Sequence, residues 1–439
     1  MMSLTLGDIT AAQARIADGI YNSPCPRSVQ LSEICQAPVY CKLDYLQRTG
    51  SFKERGARNA LLLLSPDERA AGVIAASAGN HALGLAYHGS LLGIAVTVVM
   101  PRFAPLIKIT TCRRLGARIV PYGESFAEAR EHALQLGREN HLTYIHGYDD
   151  AAIIAGQGTI GLEILEQVPD LEAVIVPLGG GGLVAGVSLA VKSLRPDVQV
   201  IGVEPQSVPS FSASLAAGRP VAVPVRHTLA DGLAVGTVGE RAFAIARHRV
   251  DRVVGVSEEE LALAVLRLVE LEKSVVEGAG AASLAACMGG RLPELAGRRT
   301  VLLLTGGNID PMVLTRVIEK GLVTDGRLCR FTAVISDRPG GLARFAQLVA
   351  QTGASIKQIE HERAFSGPDI TAVNVLCTLE TVDRQHIHQL YRTLEEAGIC
   401  VLQPGERSAT AMPNPVAPPS RADTAPAPRQ RQPEQQQQQ

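Results

Sequence analysis

Lys53 stands inside the turn Gly50-Ser51-Phe52-Lys53, directly before a stretch of helical periodicity. A lysine amine is protonated at neutral pH, and a poor nucleophile, unless burial lowers its pKa or a carbonyl compound holds it as a Schiff base. Taken alone, Lys53 reads equally well as a surface residue at a helix start. Farther along, Gly179, Gly180, Gly181 and Gly182, followed by Leu183, separate an apolar run from a helical one. Successive residues without Cβ let their N–H groups converge on one anion, and the next helix adds its N-terminal partial positive charge, so a phosphate suits the loop. Gly180, Gly182 and Ala185 also match the dinucleotide pattern, with Glu204 near the end of the next strand, which makes a nicotinamide nucleotide the rival guest.

Two more loops follow strand-like runs. Ser77, Ala78, Gly79, Asn80 and His81 form a strand-to-helix turn whose N–H groups suit a carboxylate, and Asn80 can bond a ring oxygen. Thr305, Gly306, Gly307 and Asn308 offer a hydroxyl to a ligand nitrogen, with glycines that permit close approach. Singly, each is also an ordinary turn or helix cap, and His81 alone reads as a helix residue. Together they point to one shared site. A lysine Schiff base and a phosphate nest are both required by one cofactor, pyridoxal phosphate.

The elements that must position these residues alternate between short β-branched runs and longer helical ones from Val39 onward. Their order predicts an α/β fold with mostly parallel, doubly wound sheets in two lobes, over residues 1–323, the smaller lobe spanning about 44–150. Glu54 and Arg55 are expected to point away from Lys53 on the helix. Past residue 324 the rhythm becomes β-α-β-β-α-β, a ferredoxin-like α+β domain over 328–403. Residues 404–439 are Pro, Ala and Gln without apolar periodicity and are expected to be disordered.

Hydrophobic residues make up 46% and charged residues 19% of 439, with a net charge of −1, which argues against a nucleic-acid groove or a polybasic membrane surface. Small-molecule partners are the default. The eight cysteines include no C-x-x-C pair and no ligand-spaced His cluster, so reduced thiols and no metal are expected. An acidic N-terminus without an apolar h-region, and no apolar run of membrane-spanning length, lead to the expectation of a soluble, cytoplasmic protein.

The segments LQRTGSFKERGA, SAGNHALGLA, YDDAAIIAGQGTIGLEI, PLGGGGLVAG, TLADGLAV, EGAGAA and TGGNID resemble, in matching order, the fold-type II pyridoxal-phosphate enzymes, most closely the threonine dehydratases, over residues 18–321. The stretch RFTAVISDRPGGLARFAQLVAQTGASI is similar to their ACT-like regulatory domain. The resemblance implies that Lys53 carries the cofactor and later acts as the base at Cα. It implies that Phe52 packs beside the ring, Asn80 meets its 3-oxygen, Gly179 through Leu183 hold the phosphate and Thr305 faces the pyridine nitrogen. Ser77, Gly79, Asn80 and His81 would hold the substrate carboxylate.

The implied activity is conversion of L-threonine to 2-oxobutanoate and ammonia, and of L-serine to pyruvate. A serine or 3-hydroxyaspartate dehydratase is the alternative, and a catalytically silent amino-acid sensor is the reading from another class. Serine racemases place a second serine where this chain has Ala78, so racemisation is discounted. Some relatives bind a divalent cation near the residue matching Glu204, but Ser207 and Ser210 stand where an acid would be needed. An allosteric amino-acid effector such as isoleucine, in isoleucine biosynthesis, is expected at Asp337, Pro339, Gly340 and Gly341. The rival is a domain that only mediates a homo-oligomer, dimer or tetramer.

Overall fold

The computed structural model describes residues 4–104, 106–362 and 371–403. The segment 404–439, expected to be a disordered tail, lies outside the described residues. The chain divides into two compact units, Met1–Cys329 with Thr381–Ile387, and Arg330–Glu380 with His388–Gln439.

The first unit begins with α1 (Leu6–Ile16), the short β1 (Arg27–Ser28), α2 (Val29–Cys35) and β2 (Val39–Leu43). The smaller lobe follows: α3 (Lys53–Leu62), α4 (Pro66–Ala71), β3 (Val73–Ala76), α5 (Asn80–Leu92), β4 (Val96–Met100), α6 (Leu106–Arg114), β5 (Arg118–Pro121), α7 (Phe126–Glu139) and β6 (Thr143–Tyr144). The chain then returns through α8 (Ala151–Gln167), β7 (Ala173–Pro177), α9 (Gly182–Leu194), β8 (Gln199–Pro205), α10 (Ser210–Ala217), α11 (Glu240–Ala246) and β9 (Arg252–Val256). It closes with α12 (Glu258–Leu271), α13 (Gly278–Met288), β10 (Thr300–Leu304) and α14 (Pro311–Asp325).

The large sheet runs β1-β2-β10-β7-β8-β9, and the small one β5-β4-β3-β6. All paired strands in both are parallel except the β1–β2 edge, which is antiparallel. Strands such as β7 (AVIVP) and β10 (TVLLL) are wholly buried, as parallel strands covered on both faces must be. Alternate residues of β10 divide between the two faces: Leu302 and Leu304 join the core under α12 and α13, while Val301 and Leu303 join the core under α8 and α9. Local signals set several helix starts. In α12, Ser257 accepts the N–H of Glu260, whose carboxylate accepts the N–H of Ser257 in return.

The strand order reverses beside β3 in the small sheet and beside β7 and β10 in the large one. Open parallel sheets bind ligands outside the carboxyl ends of strands at such points. The loops after β3, β7 and β10 are the Ser77, Gly179 and Thr305 loops.

A buried ionic cluster fixes α3 to the large lobe. The Arg55 guanidinium donates to both oxygens of Asp44 at 2.8 Å and to Glu163 at 2.5 and 2.8 Å, and also to Thr159 Oγ1 at 3.1 Å. Lys42 Nζ donates to the same Glu163 at 2.6 Å. Beside this cluster α3 and α8 meet backbone to backbone. A Cβ built on Gly156 would stand 2.6 Å from Gly56 Cα, so no larger residue fits the crossing.

The second unit takes in β11 (Leu328–Ser336) from Arg330, α15 (Gly341–Thr352), β12 (Ser355–Glu362), β13 (Ala372–Glu380), α16 (Arg384–Glu396) from His388, and β14 (Cys400–Leu402). Its sheet runs β12-β13-β11-β14, the ferredoxin-like arrangement expected from the sequence. Among the described residues no helix is long and apolar enough to cross a membrane.

Candidate active site

Lys53 is the first residue of α3, and the turn before it is stitched to the loop after β10. Ser51 pairs with Gly306 in an isolated bridge, the Phe52 N–H donates to Thr305 O at 3.0 Å, and the Gly307 N–H donates to Gly50 O at 2.9 Å. The half-buried Lys53 donates from Nζ to Gly147 O at 2.6 Å and lies 5.2 Å from the Phe52 ring centre. Burial pushes its ammonium down to about 8, against the pull of the Glu277 carboxylate.

The residue after Gly147 reaches the glycine loop. The Tyr148 ring lies against Gly180, where a Cβ would come within 2.4 Å of it, and the Tyr148 hydroxyl donates to Thr237 O. Gly181 has φ of +91°, which a residue with a side chain rarely adopts, and it precedes α9 with no side-chain cap. The N–H groups of Gly179, Gly180 and Gly181 make no hydrogen bond to the described residues. Uncapped donors at the start of a 13-residue helix suit an anion, and the phosphate group of the expected cofactor fits them. Leu183, in the first turn, is 7% exposed and packs in the core under α8 and α9.

At the opposite loop, Ser77 Oγ accepts the Gly79 N–H at 3.2 Å, and Gly79 caps α5 without a side chain. Asn80 therefore opens α5 and turns its amide across to the large lobe, where Nδ2 donates to Glu277 Oε1 at 2.7 Å and Oδ1 accepts from Asn308 Nδ2 at 2.9 Å. The His81 ring is buried and turned to Ile145 O, and burial, with Lys53 nearby, lowers its pKa to about 3. Thr305 is 3% exposed, and its hydroxyl makes no hydrogen bond to the described residues.

The structure therefore gathers Lys53, Phe52, Thr305 and Asn80 around the Gly306 backbone, and brings the glycine loop in through Gly147 and Tyr148. The loop at Ser77 and Gly79 adjoins them through Asn80, while the His81 ring packs beside Gly147 and bonds Ile145 O. Sequence reasoning assigned nothing to Gly147, Tyr148 or Glu277. The first acts through a carbonyl, which has no residue signature; the signal for Glu277 was an acid directly before a small-residue helix in EGAGAA.

The dinucleotide alternative requires a free acid at Glu204. Both of its oxygens are used instead, accepting the N–H groups of Phe211 and Ser212 at the start of α10.

A family profile described as "Pyridoxal-phosphate dependent enzyme" matches residues 16–306. An L-threonine ammonia-lyase of Thermotoga maritima is 44% identical over 395 residues, covering 90% of this chain and 98% of the relative. Threonine deaminase isoform 2 of Solanum lycopersicum superposes with a TM-score of 0.69 at 39% identity, covering 72% of this chain and 86% of that one. Serine racemase of Dictyostelium discoideum gives 0.67 at 34% identity, covering 70% of this chain and 100% of that one.

Proposed function

Because the chain belongs to the family of pyridoxal-phosphate dependent enzymes, we propose that it is an ammonia-lyase acting on L-threonine, giving 2-oxobutanoate and ammonia, and on L-serine, giving pyruvate. The observation that carries this proposal is the meeting of a burial-depressed amine at Lys53 with the uncapped N–H groups of the glycine loop, joined by the consecutive residues Gly147 and Tyr148. Pyridoxal phosphate supplies, when bound, a conjugated ring that draws electrons from the bonds at the substrate Cα.

Lys53 Nζ is the point of attachment. With its pKa near 8, a sizeable fraction of the amine is neutral at physiological pH, so once released it can take the Cα proton. The Gly147 carbonyl aims that nitrogen across the cleft. Gly179 through Leu183 would hold the phosphate with backbone donors, and Phe52 would pack beside the ring. The Thr305 hydroxyl would offer the ring nitrogen a neutral partner, a setting that suits loss of a β-hydroxyl better than transamination. The Ser77 to His81 turn offers N–H groups to the substrate carboxylate, with His81 contributing backbone and not ring. Ala78 supplies no proton donor to the opposite face of Cα, which favours elimination over racemisation.

The test is direct. The purified protein should absorb in the visible, and Lys53→Ala should lose both that band and ammonia release; a colourless wild-type protein would end the proposal. Kinetics on threonine, serine and 3-hydroxyaspartate would rank the substrates.

We also propose that the second unit binds an amino-acid effector such as isoleucine, within a cytoplasmic homo-oligomer. An open cleft of 380 Å³ supports this, lined by Ser336, Arg338, Thr371 and Cys400 among others. It adjoins the turn at Asp337, Pro339, Gly340 and Gly341, and Arg338 suits a carboxylate. In the full chain, Arg338→Ala should abolish the response to isoleucine; an unchanged response would refute the effector site.

A further inference from the structure

The acid of EGAGAA has no part in the scheme above, yet it sits where both halves of the site meet. Glu277 is 6% exposed and precedes α13, and its N–H donates to Gly306 O at 2.9 Å. One oxygen accepts from Asn80 Nδ2. Asn308 Nδ2 bonds the other end of the same amide and spends its second hydrogen on Thr49 O at 2.6 Å. Each end of the Asn80 carboxamide is thereby assigned: oxygen toward Asn308, nitrogen toward Glu277. A flipped amide would set oxygen against carboxylate. One Nδ2 hydrogen remains for a ligand.

The space for this arrangement is cut by Gly306. A Cβ there would stand 2.3 Å from Glu277 Oε1 and 3.2 Å from Asn80 Nδ2. Glu277 and the lysine turn are both bonded to the Thr305–Gly306 backbone, which brings the carboxylate's charge to bear on the Lys53 amine, while Asp231 opposes the ionisation of Glu277 and Lys108 favours it. The charge on the same amine also bears on His81 and His146, and burial lowers the pKa of both rings. Burial pushes the Glu277 carboxyl up to about 7, so its charge is present at mildly alkaline pH.

We propose that Glu277 is a positioning residue with two separable effects: with Asn308 it locks the Asn80 amide so that one N–H faces the cofactor ring, and its negative charge favours protonation of the Lys53 nitrogen. The inference rests on the cofactor reading given above.

Two substitutions separate these effects in the loaded, full-length protein. Glu277→Gln keeps an acceptor for Asn80 but removes the charge. The pH midpoint of the visible band of the lysine-bound cofactor should fall by about one unit or more, with cofactor affinity retained. Glu277→Asp keeps the charge but withdraws it from Asn80, so the midpoint should stay while the cofactor dissociation constant rises about tenfold, the value of one hydrogen bond to a charged group. Gly306→Ala forces the two groups apart with both present, and should weaken cofactor binding like Glu277→Asp even where Glu277→Gln fails to fold. A midpoint in Glu277→Gln equal to wild type, or the same affinity loss in all three variants with no movement of the midpoint, overturns the inference. Wild-type protein lacking the band would instead remove the cofactor reading, and this inference with it.

Discussion

Replacing Arg55 by Met tests whether the buried ionic cluster holds the lysine-bearing helix in place. Lys42 and Arg55 face Asp44 and Glu163, two cations against two acids, with Lys42, Asp44 and Arg55 fully buried and Glu163 6% exposed. Met fills a similar volume but leaves one cation against two acids in a dry interior. Removing one partner of such a cluster costs about 3 to 5 kcal/mol, a large share of the roughly 5 to 15 kcal/mol that holds a typical domain folded. Urea denaturation at pH 7.5 should show this loss. Arg55→Met with Glu163→Met restores neutrality through Lys42 and Asp44, so the double variant should be more stable than the sum of the single changes by about 2 kcal/mol.

The pH dependence follows from Asp44. Burial pushes its carboxyl up, but Arg55 outweighs that and holds it below the usual range. A depressed folded pKa gives stability that is present above the unfolded value and lost as pH falls through the folded one. The gap between wild type and Arg55→Met should therefore be widest above about pH 4 and narrow below it. A single-variant loss under about 1 kcal/mol, or strict additivity in the double variant, would refute the reasoning.

Glu54 should behave oppositely. Its Oε1 accepts the Thr49 N–H, its Oε2 has no partner among the described residues, and burial raises its pKa from 4.5 to about 7. A raised folded pKa means stability is lost as pH rises from the unfolded to the folded value, so Glu54→Gln should gain up to about 3 kcal/mol at pH 8 and nothing at pH 4. Gly156→Ala should cost about 1 to 3 kcal/mol by overpacking the α3–α8 crossing, seen as a lower denaturation midpoint. Glu204→Ala leaves two N–H groups at the start of α10 without their acceptor and should cost about 1 to 2 kcal/mol, while a chelator should leave wild-type stability unchanged.

How much of this was legible in the sequence depends on whether the signal was local. β7 and β10 are almost wholly apolar runs of strand length, β2 and β9 are short β-branched runs each broken by one cation, and α5 and α7 lie between turn signals, so their limits could be read off directly. The antiparallel β1 is two residues long and has no period to detect. β6 ends at Tyr144, and His146 Nδ1 accepts the N–H groups of Tyr148 and Asp149 and turns the chain toward α8.

The helix around Lys53 was legible, but the fate of its charges was not. Glu54 and Arg55 do point away from Lys53, into the interior rather than solvent, because the partner that makes burial of Arg55 tolerable, Glu163, lies 108 residues away. The three loops proposed to hold cofactor and substrate announced themselves through glycines and small polar residues. Glu277 did not, since its meaning depends on Asn80 arriving from the other lobe.

The path of the chain has a consequence for how substrate range can change. It leaves the large sheet after β2, builds the whole small sheet, and returns at α8, so the Ser77 to Asn80 loop travels on an insert. The glycine loop and Thr305 stay with the host sheet, and the lysine turn, at the start of the insert, is tied to them by the backbone bridge at Ser51 and Gly306. The insert is thus an exchangeable cassette. Grafting a small lobe from another relative should alter which amino acid is selected while the host half keeps its grip on the cofactor, provided the seams at α3, α8 and the Asn80 contact with Glu277 are carried over intact.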